Sequence, residues 1–244
     1  MEVYLNSIHG IDDAMVSMLM SKRSWTREKE LDIRALCERV TDRNGFPNWW
    51  TESDLKDVAK FNDQLDILVK WGKKHTTLLR FIDISVTVKG LHRAGQDDWD
   101  SHTKRFENRI IRNSTRIKGV EFGYEMSDYY KDKILPTDLA LTALGVDIPD
   151  NITVDGKKYT KAVNGYILDE YKDNEDVKRG LYMMSIPSDF IFKVNLTEWA
   201  HVYKQRNVNS SANPEVKKLC EIIASQLYIA YDQFNRDLWM EIEN

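Results

Sequence analysis

The sequence predicts an α+β fold in which helices flank a modest, largely antiparallel sheet. Three observations carry that reading. Residues 81–89 (FIDISVTVK) alternate Ile82, Ile84, Val86 and Val88 with Asp83, Ser85 and Thr87, the period-2 pattern of a half-buried strand. The stretch LYMMSIPSDFIFKVN reads as two strand-like pieces kinked at Pro187. Residues 27–41 and the run after Pro214 instead repeat their apolar side chains at helical spacing.

The elements follow in order. Residues 2–8 (EVYLNSI) alternate as a short strand that Gly10 breaks, and Asp12 or Asp13 is placed to cap the apolar run AMVSMLM as a helix. A second helix over 27–41 sets Leu31, Arg34 and Cys37 near one face, with Ile33, Leu36 and Val40 beside them. After the loop NGFPNWW, Thr51 or Ser53 caps a third helix with Leu55, Ala59, Leu65, Leu68 and Val69 inward. The strand at 81–89 comes next, then a turn bracketed by Gly90 and Gly95, then a helix-like run from Asp97 to Arg112. Residues 117–180 are the least patterned; they contain a short helix in LPTDLALTALGV, a hairpin at Asp155-Gly156 and an exposed charged stretch DEYKDNEDVKR. A helix from Thr197 to Gln205, the loop RNVNSSANP and a closing helix with Val216, Leu219, Cys220, Ile223 and Leu227 on one face complete the chain.

Composition bounds the function. The 244 residues suit a single domain over 1–244, and 42% hydrophobic against 30% charged residues marks an ordinary globular chain. Only 11 Gly and 5 Pro exclude collagen-like and linker-rich architectures, and a net charge of -4 argues against a dedicated nucleic-acid binder. Cys37 and Cys220 are the only cysteines, too few for a disulfide framework, and read as reduced, buried thiols of an intracellular protein. Neither a signal peptide nor an uncharged apolar run of the ~20 residues that span a bilayer is evident, so a cytoplasmic protein with no membrane partner is expected.

The chemistry concentrates in residues 90–116. On a helix, His102, Arg105, Arg109, Arg112 and Arg116 would form one stripe, with Trp99, Phe106 and Ile110 on a separate apolar one. Like charges on one face repel unless anions sit among them, and arginine holds phosphate or carboxylate through paired donors. The spacing equally suits a solvated basic face paired with Asp98, Asp100 and Glu107. Asp97, Asp98 and Asp100 fit helix capping better than a metal, so no metal site is expected. The nucleophile elbow, the phosphate loop and the zinc-protease and dinucleotide signatures are missing, which leaves hard chemistry to a cofactor.

Residues 186–216 (IPSDFIFKVNLTEWAHVYKQRNVNSSANPEV) resemble the flavin-dependent thymidylate synthases, with Pro187, Asn195, Arg206, Ala212, Glu215 and Val216 on the family's positions. VYLNSIHGIDDAMVSMLMSKRSW resembles the family's first strand, first helix and following Arg, and His75-Thr76-Thr77 its His-x-Thr signature. Ser114-Thr115-Arg116 fits the end of the central motif, but Lys104-Arg105-Phe106 stands where Arg-His-Arg is expected, Arg109 where Ser is, and Ile111 where Asn is. An Arg expected just before the Leu-Pro pair falls on Met183 without a gap and on Arg179 with one.

The resemblance implies a homotetramer that turns dUMP into dTMP with methylenetetrahydrofolate and NADPH as co-substrates and FAD as cofactor. It implies that Arg206 lies against the pyrimidine as the catalytic residue. Ser114 and Arg116, with backbone of Arg112 and Asn113, would hold the dUMP phosphate, and Thr77, Asn195 and His201 match flavin-contacting positions. Arg105 and Arg109 are candidates for the FAD phosphates through the stripe alone. Each position also has a plain structural alternative: Asn195 as a helix cap, His201 as a half-buried helix residue, Arg206 as a helix-end charge and Thr77 as a turn hydroxyl. A pyrimidine-nucleotide hydroxymethylase on the same scaffold and a non-catalytic nucleotide-binding protein remain as alternatives.

Overall fold

The computed structural model describes residues 1–48, 55–101, 108–112, 126–130, 132–208 and 212–242. The chain divides into two compact units. One comprises Met1–Glu2, Lys89–Asp97 and Arg112–Phe190, the other Val3–Val88, Asp98–Ile111 and Ile191–Asn244. The strands among the described residues are β1 (Glu2–His9), β2 (Asp83–His92), β3 (Asn108–Arg112), β4 (Asn151–Val154), β5 (Lys157–Ala162), β6 (Gly165–Leu168) and β7 (Pro187–Asn195). They form a four-stranded sheet ordered β1-β2-β7-β3 and a three-stranded antiparallel sheet β4-β5-β6. The α+β class expected from the sequence holds. No helix among the described residues is long and apolar enough to cross a membrane.

In the larger unit, α1 (Ile11–Ser21), α2 (Arg27–Val40) and α3 (Leu55–Gly72) pack against one another, and α1 and α3 also against the turn Thr76–Phe81. Thr26 caps α2 by accepting the Lys29 N–H, and Ile33, Leu36, Cys37 and Val40 turn inward as their spacing requires. α1 starts without the expected side-chain cap: Gly10, in the left-handed region, is its first flanking residue. Leu55 and Ala59, expected inward, are exposed, as is Leu31, while Phe61 is fully buried. The edge strand β1 is covered by Gln226 of the closing Pro214–Ala230 helix, which accepts from the Leu5 N–H at 2.8 Å and donates to the Val3 carbonyl at 2.9 Å.

A row of aromatic rings runs through this unit's core. Trp99 contacts Phe192 and Trp199, Trp199 contacts Trp239, and Phe234 links Trp239 to Tyr231, which meets Phe61. Offset and edge-on rings of this kind add to the burial of their large surfaces.

The period-2 strand is real but displaced. Thr76–Phe81 forms a 3₁₀ turn, so β2 begins at Asp83 and continues through Gly90 to His92, where a turn was expected. The hairpin at Asp155-Gly156 is found between β4 and β5, both turn residues having positive φ. Pro187 opens β7, the strand position that tolerates a missing N–H, so only the second of the two expected pieces is a strand; residues 181–186 are not.

Gly45 adopts φ +79°, and a Cβ there would lie 1.6 Å from the Ile8 carbonyl oxygen. Gly45→Ala should therefore cost well over the ~1–2 kcal/mol of the left-handed conformation alone. Urea denaturation checks this; a loss within that range would show that the Ile8 strand gives way freely.

Candidate functional site

Arg206 is set by a helix and its distortion. Asn195 accepts the Glu198 N–H at 2.9 Å and so caps the helix Leu196–Tyr203. The helix then widens into a π-helical turn over Lys204–Val208, a deviation that recurs at functional positions. Arg206 sits on this turn, 6% exposed. Its Nη1 lies 2.9 Å from the Asp98 carboxylate, and Nη2 donates to the Asp98 backbone carbonyl. Asp98 belongs to α4 (Arg93–Ser101), and its neighbour Trp99 is locked into the aromatic row. The guanidinium is thus fixed in position by one acid from two directions.

Of the positions the resemblance assigns to flavin, Asn195 caps this helix, His201 lies within it and Thr77 lies on a turn docked at its start. The Leu196 N–H donates to the Ile82 carbonyl and the Thr197 hydroxyl to the Thr76 carbonyl, both at 2.9 Å, which docks the Thr76–Phe81 turn there. Thr77 on that turn is exposed, Asn195 is buried with its oxygen engaged in the cap, and His201 is half-buried.

The arginine stripe is a correction. α4 ends at Ser101, and Asn108–Arg112 is strand β3 instead of the tail of a helix. Arg109 and Arg112, three apart on a strand, face opposite sides. Two adjacent β-branched residues, Ile110 and Ile111, favour the extended chain, and pairing with β7 stabilises it. Arg105 lies outside the described residues, as do Asn113, Ser114 and Arg116.

Arg109 is exposed, with Nη2 2.8 Å from Asp83, which also holds Lys193 at 3.3 Å. Asp100 lies along the same edge, so two carboxylates face the two cations. Arg109 and Lys193 border an open groove of about 700 Å³ whose apolar surface includes Ile111, Ile191 and Phe192. Thr77, Asn195 and His201 do not line it.

In the smaller unit, Arg112 is half-buried with Nη1 2.9 Å from Asp97, and Arg93 Nε approaches the same carboxylate at 3.9 Å. The Arg93 Nη1 also donates to Gln96 Oε1 at 3.2 Å, and the Ser188 hydroxyl donates to that oxygen at 2.7 Å. Gln96 and His92 are fully buried. Arg93 and Gln96 were not among the candidates; their signal was the i, i+3, i+4 spacing of Arg93, Gln96 and Asp97 at a helix start.

Nucleophilic thiols are not offered. Burial pushes the Cys37 thiol up to about 12, and burial raises Cys220 as well, with the Arg206 guanidinium opposing it only in part. Among the described residues no group of His, Cys, Asp and Glu is arranged to hold a metal ion.

No family model matches the chain, and no curated protein does. Solved structures do. A crystal structure of thymidylate synthase X (ThyX) from Helicobacter pylori with FAD and dUMP is 14% identical, with a TM-score of 0.53, over 98% of this chain and 99% of that one. A second structure, of the flavin-dependent thymidylate synthase ThyX from Helicobacter pylori complexed with FAD and dUMP, gives a TM-score of 0.56 at the same identity and coverage. The chain therefore has the fold of the flavin-dependent thymidylate synthases, at the low identity of a divergent sequence.

Two outcomes follow from this geometry. Asp98→Asn removes the partner of a buried guanidinium and should lower stability by ~2–4 kcal/mol in urea denaturation, Asp98 itself being partly exposed. Asp83→Asn, facing the exposed Arg109, should cost no more than ~1 kcal/mol. Equal losses would refute the distinction between the two arginines. For the thiols, only thiolate reacts with disulfide reagents, so native protein at pH 8 should show no fast-reacting cysteine and unfolded protein two. A rapid native burst would contradict the burial argument.

Proposed function

We propose that this chain is an FAD-dependent thymidylate synthase. It would convert dUMP, methylenetetrahydrofolate, NADPH and a proton into dTMP, tetrahydrofolate and NADP⁺. The observation that carries the reading is the buried Arg206, fixed by Asp98, in a chain that follows a ThyX fold over 98% of its length.

In this reading the uracil ring lies against Arg206. Negative charge develops on the ring as its carbon 5 attacks the methylene carbon, and a preorganised guanidinium shielded from water favours that state over the ground state. Asp98 acts as the positioning residue: it holds the planar fork so that no reorientation is needed as charge appears. Arg112, Asn113, Ser114 and Arg116 are assigned to the dUMP phosphate, and the gathering of the Arg112 and Arg93 guanidiniums around Asp97 supports an anion there.

FAD, when bound, supplies the hydride carried from NADPH. The groove beside Arg109 has the two-sided character such a group requires, an apolar wall at Ile191 and Phe192 and cations at Arg109 and Lys193. Thr77, Asn195, His201 and Arg105 complete the flavin assignment. A homotetramer, in which the phosphate residues and Arg206 come from different subunits, belongs to the same proposal.

A second reading, a nucleotide-binding protein without catalysis, draws on one observation: Arg109, Arg112 and Arg206 are each already engaged by a carboxylate. Flavin absorbance of the purified protein and tritium release from 5-labelled dUMP with folate and NADPH separate the two. Release supports the synthase; a colourless protein that retains dUMP without release supports the binder.

The sharper test is Arg206→Lys. Lysine keeps the charge but loses the fork that reaches both the carboxylate and the carbonyl of Asp98. The variant should fold and bind FAD while dTMP formation falls by roughly 10²-fold or more, the loss expected for one preorganised donor. If Arg206 were only a helix-end charge, lysine would serve and turnover would stay near wild type.

A further inference from the structure

Two stretches of the larger unit contain no carboxylate side chain. Residues 14–27 hold Lys22, Arg23 and Arg27, and residues 67–82 hold Lys70, Lys73, Lys74 and Arg80, in a chain whose net charge is -4. The fold brings the two stretches together. Lys22, at the end of α1, sets its ammonium 4.2 Å from the centre of the Trp71 ring near the end of α3, and His75 stacks on the same ring with centres 5.5 Å apart. A cation on a ring face is oriented by it and keeps its charge.

The cluster is only partly neutralised. Arg27 pairs with Glu30, Lys73 pairs with Glu241, and Arg80 is engaged as well. Among the described residues, Lys22, Arg23, Lys70 and Lys74 have no carboxylate partner. Lys22 and Lys70 complement the negative ends of α1 and α3, but Arg23 and Lys74 lie beyond those ends. Both helices pack against the turn Thr76–Phe81. Lys74 precedes Thr77 by three residues, which span at most ~11 Å of chain, and Thr77 is one of the positions assigned above to flavin.

From this juxtaposition we infer that the basic cluster at the ends of α1 and α3 holds the glutamyl tail of the folate co-substrate, its carboxylates among Lys22, Arg23, Lys70 and Lys74. The identity of the ligand rests on the thymidylate synthase reading. A folate that gives up its methylene carbon places its pterin beside the flavin, and its tail of γ-linked glutamates runs outward, each glutamate adding one carboxylate. Lysine suits such a tail, because an ammonium on a flexible stem is a point charge that follows a flexible anion without demanding a fixed geometry. A single-stranded nucleic acid would instead need aromatic faces on which to stack its bases, and the Trp71 ring is already taken by Lys22 and His75.

The probe is p-aminobenzoyl-pentaglutamate, the tail without its pterin, titrated by calorimetry against the full chain beside the corresponding monoglutamate. The pentaglutamate should bind roughly tenfold or more tightly than the monoglutamate, and the difference should shrink as salt rises. Lys22→Gln combined with Lys74→Gln should remove most of that difference. Lys56→Gln combined with Lys60→Gln, an equal change of charge at least about 15 Å away from Lys70 along α3, should leave it intact. Equal affinities in the parent protein, an undiminished difference in the Lys22 and Lys74 variant, or tighter binding of a thymidine oligonucleotide than of the pentaglutamate would overturn the assignment. Pentaglutamate preference without tritium release from 5-labelled dUMP would remove the synthase reading, and folate with it, while the polycarboxylate site stands. Release without that preference would do the reverse.

Discussion

The ion pair between Asp98 and Arg206 is the constraint around which the larger unit is arranged. A guanidinium 6% exposed is unfavourable unless its charge and donors are met, and the loss on removing its partner exceeds anything a surface pair contributes. Meeting it requires Asp98 to be held in place, and the next residue does so. Trp99 is buried between Phe192 and Trp199, at the head of a row of rings that extends to Trp239, Tyr231 and Phe61. From the other side, the π-helical turn after Tyr203 places Arg206 inward, and Cys220 of the closing helix feels both members of the pair. Strand β7, the helix Leu196–Tyr203, the closing helix and α4 therefore converge on one charge.

A shared acid likewise orients Arg109 and Arg112. Asp83 holds Arg109 and Lys193, and Asp97 holds Arg112 with Arg93 at longer range. In each case one carboxylate serves two cations. Such a cluster is oriented by its acid, so under the proposed function an arriving anion meets side chains already ordered instead of having to order them.

How much of this was legible varies with the range of the forces involved. Helix α2 and the closing helix follow from local periodicity, and the inward Val216, Leu219, Cys220, Ile223 and Leu227 are where spacing puts them. The β2 alternation is equally local, and only its start shifted, because the 3₁₀ turn at Thr76–Phe81 is docked by hydrogen bonds from Leu196 and Thr197 more than a hundred residues away. The failure at 97–112 has the same origin. Arginines four, three and four apart fit a helix, but a strand at the sheet edge needs a partner, and β7 lies some eighty residues downstream. Leu31 and Leu55 satisfy their helices' pattern and still face solvent, since periodicity says which face is apolar and not whether anything covers it. Arg93 and Gln96 escaped notice because a mixed polar helix start looks like capping until tertiary contacts bury it.

The positions that carry the family resemblance divide by how far local folding accounts for them. Pro187 opens a strand, Asn195 caps a helix, and Glu215 and Val216 lie in the first turn of a helix whose cap is Asn213, with Pro214 at its first position. Any protein that builds this fold has reason to place such residues at those junctions, so their presence speaks to architecture before chemistry. Arg206 is different. A helix-end charge has no need to be buried, to sit on a π turn or to be bound from two directions by Asp98, and each of those costs stability that an exposed lysine would spare. Of the residues that mark the resemblance, it is the one whose placement the fold does not require, and that makes it the proper basis for a functional argument about this chain.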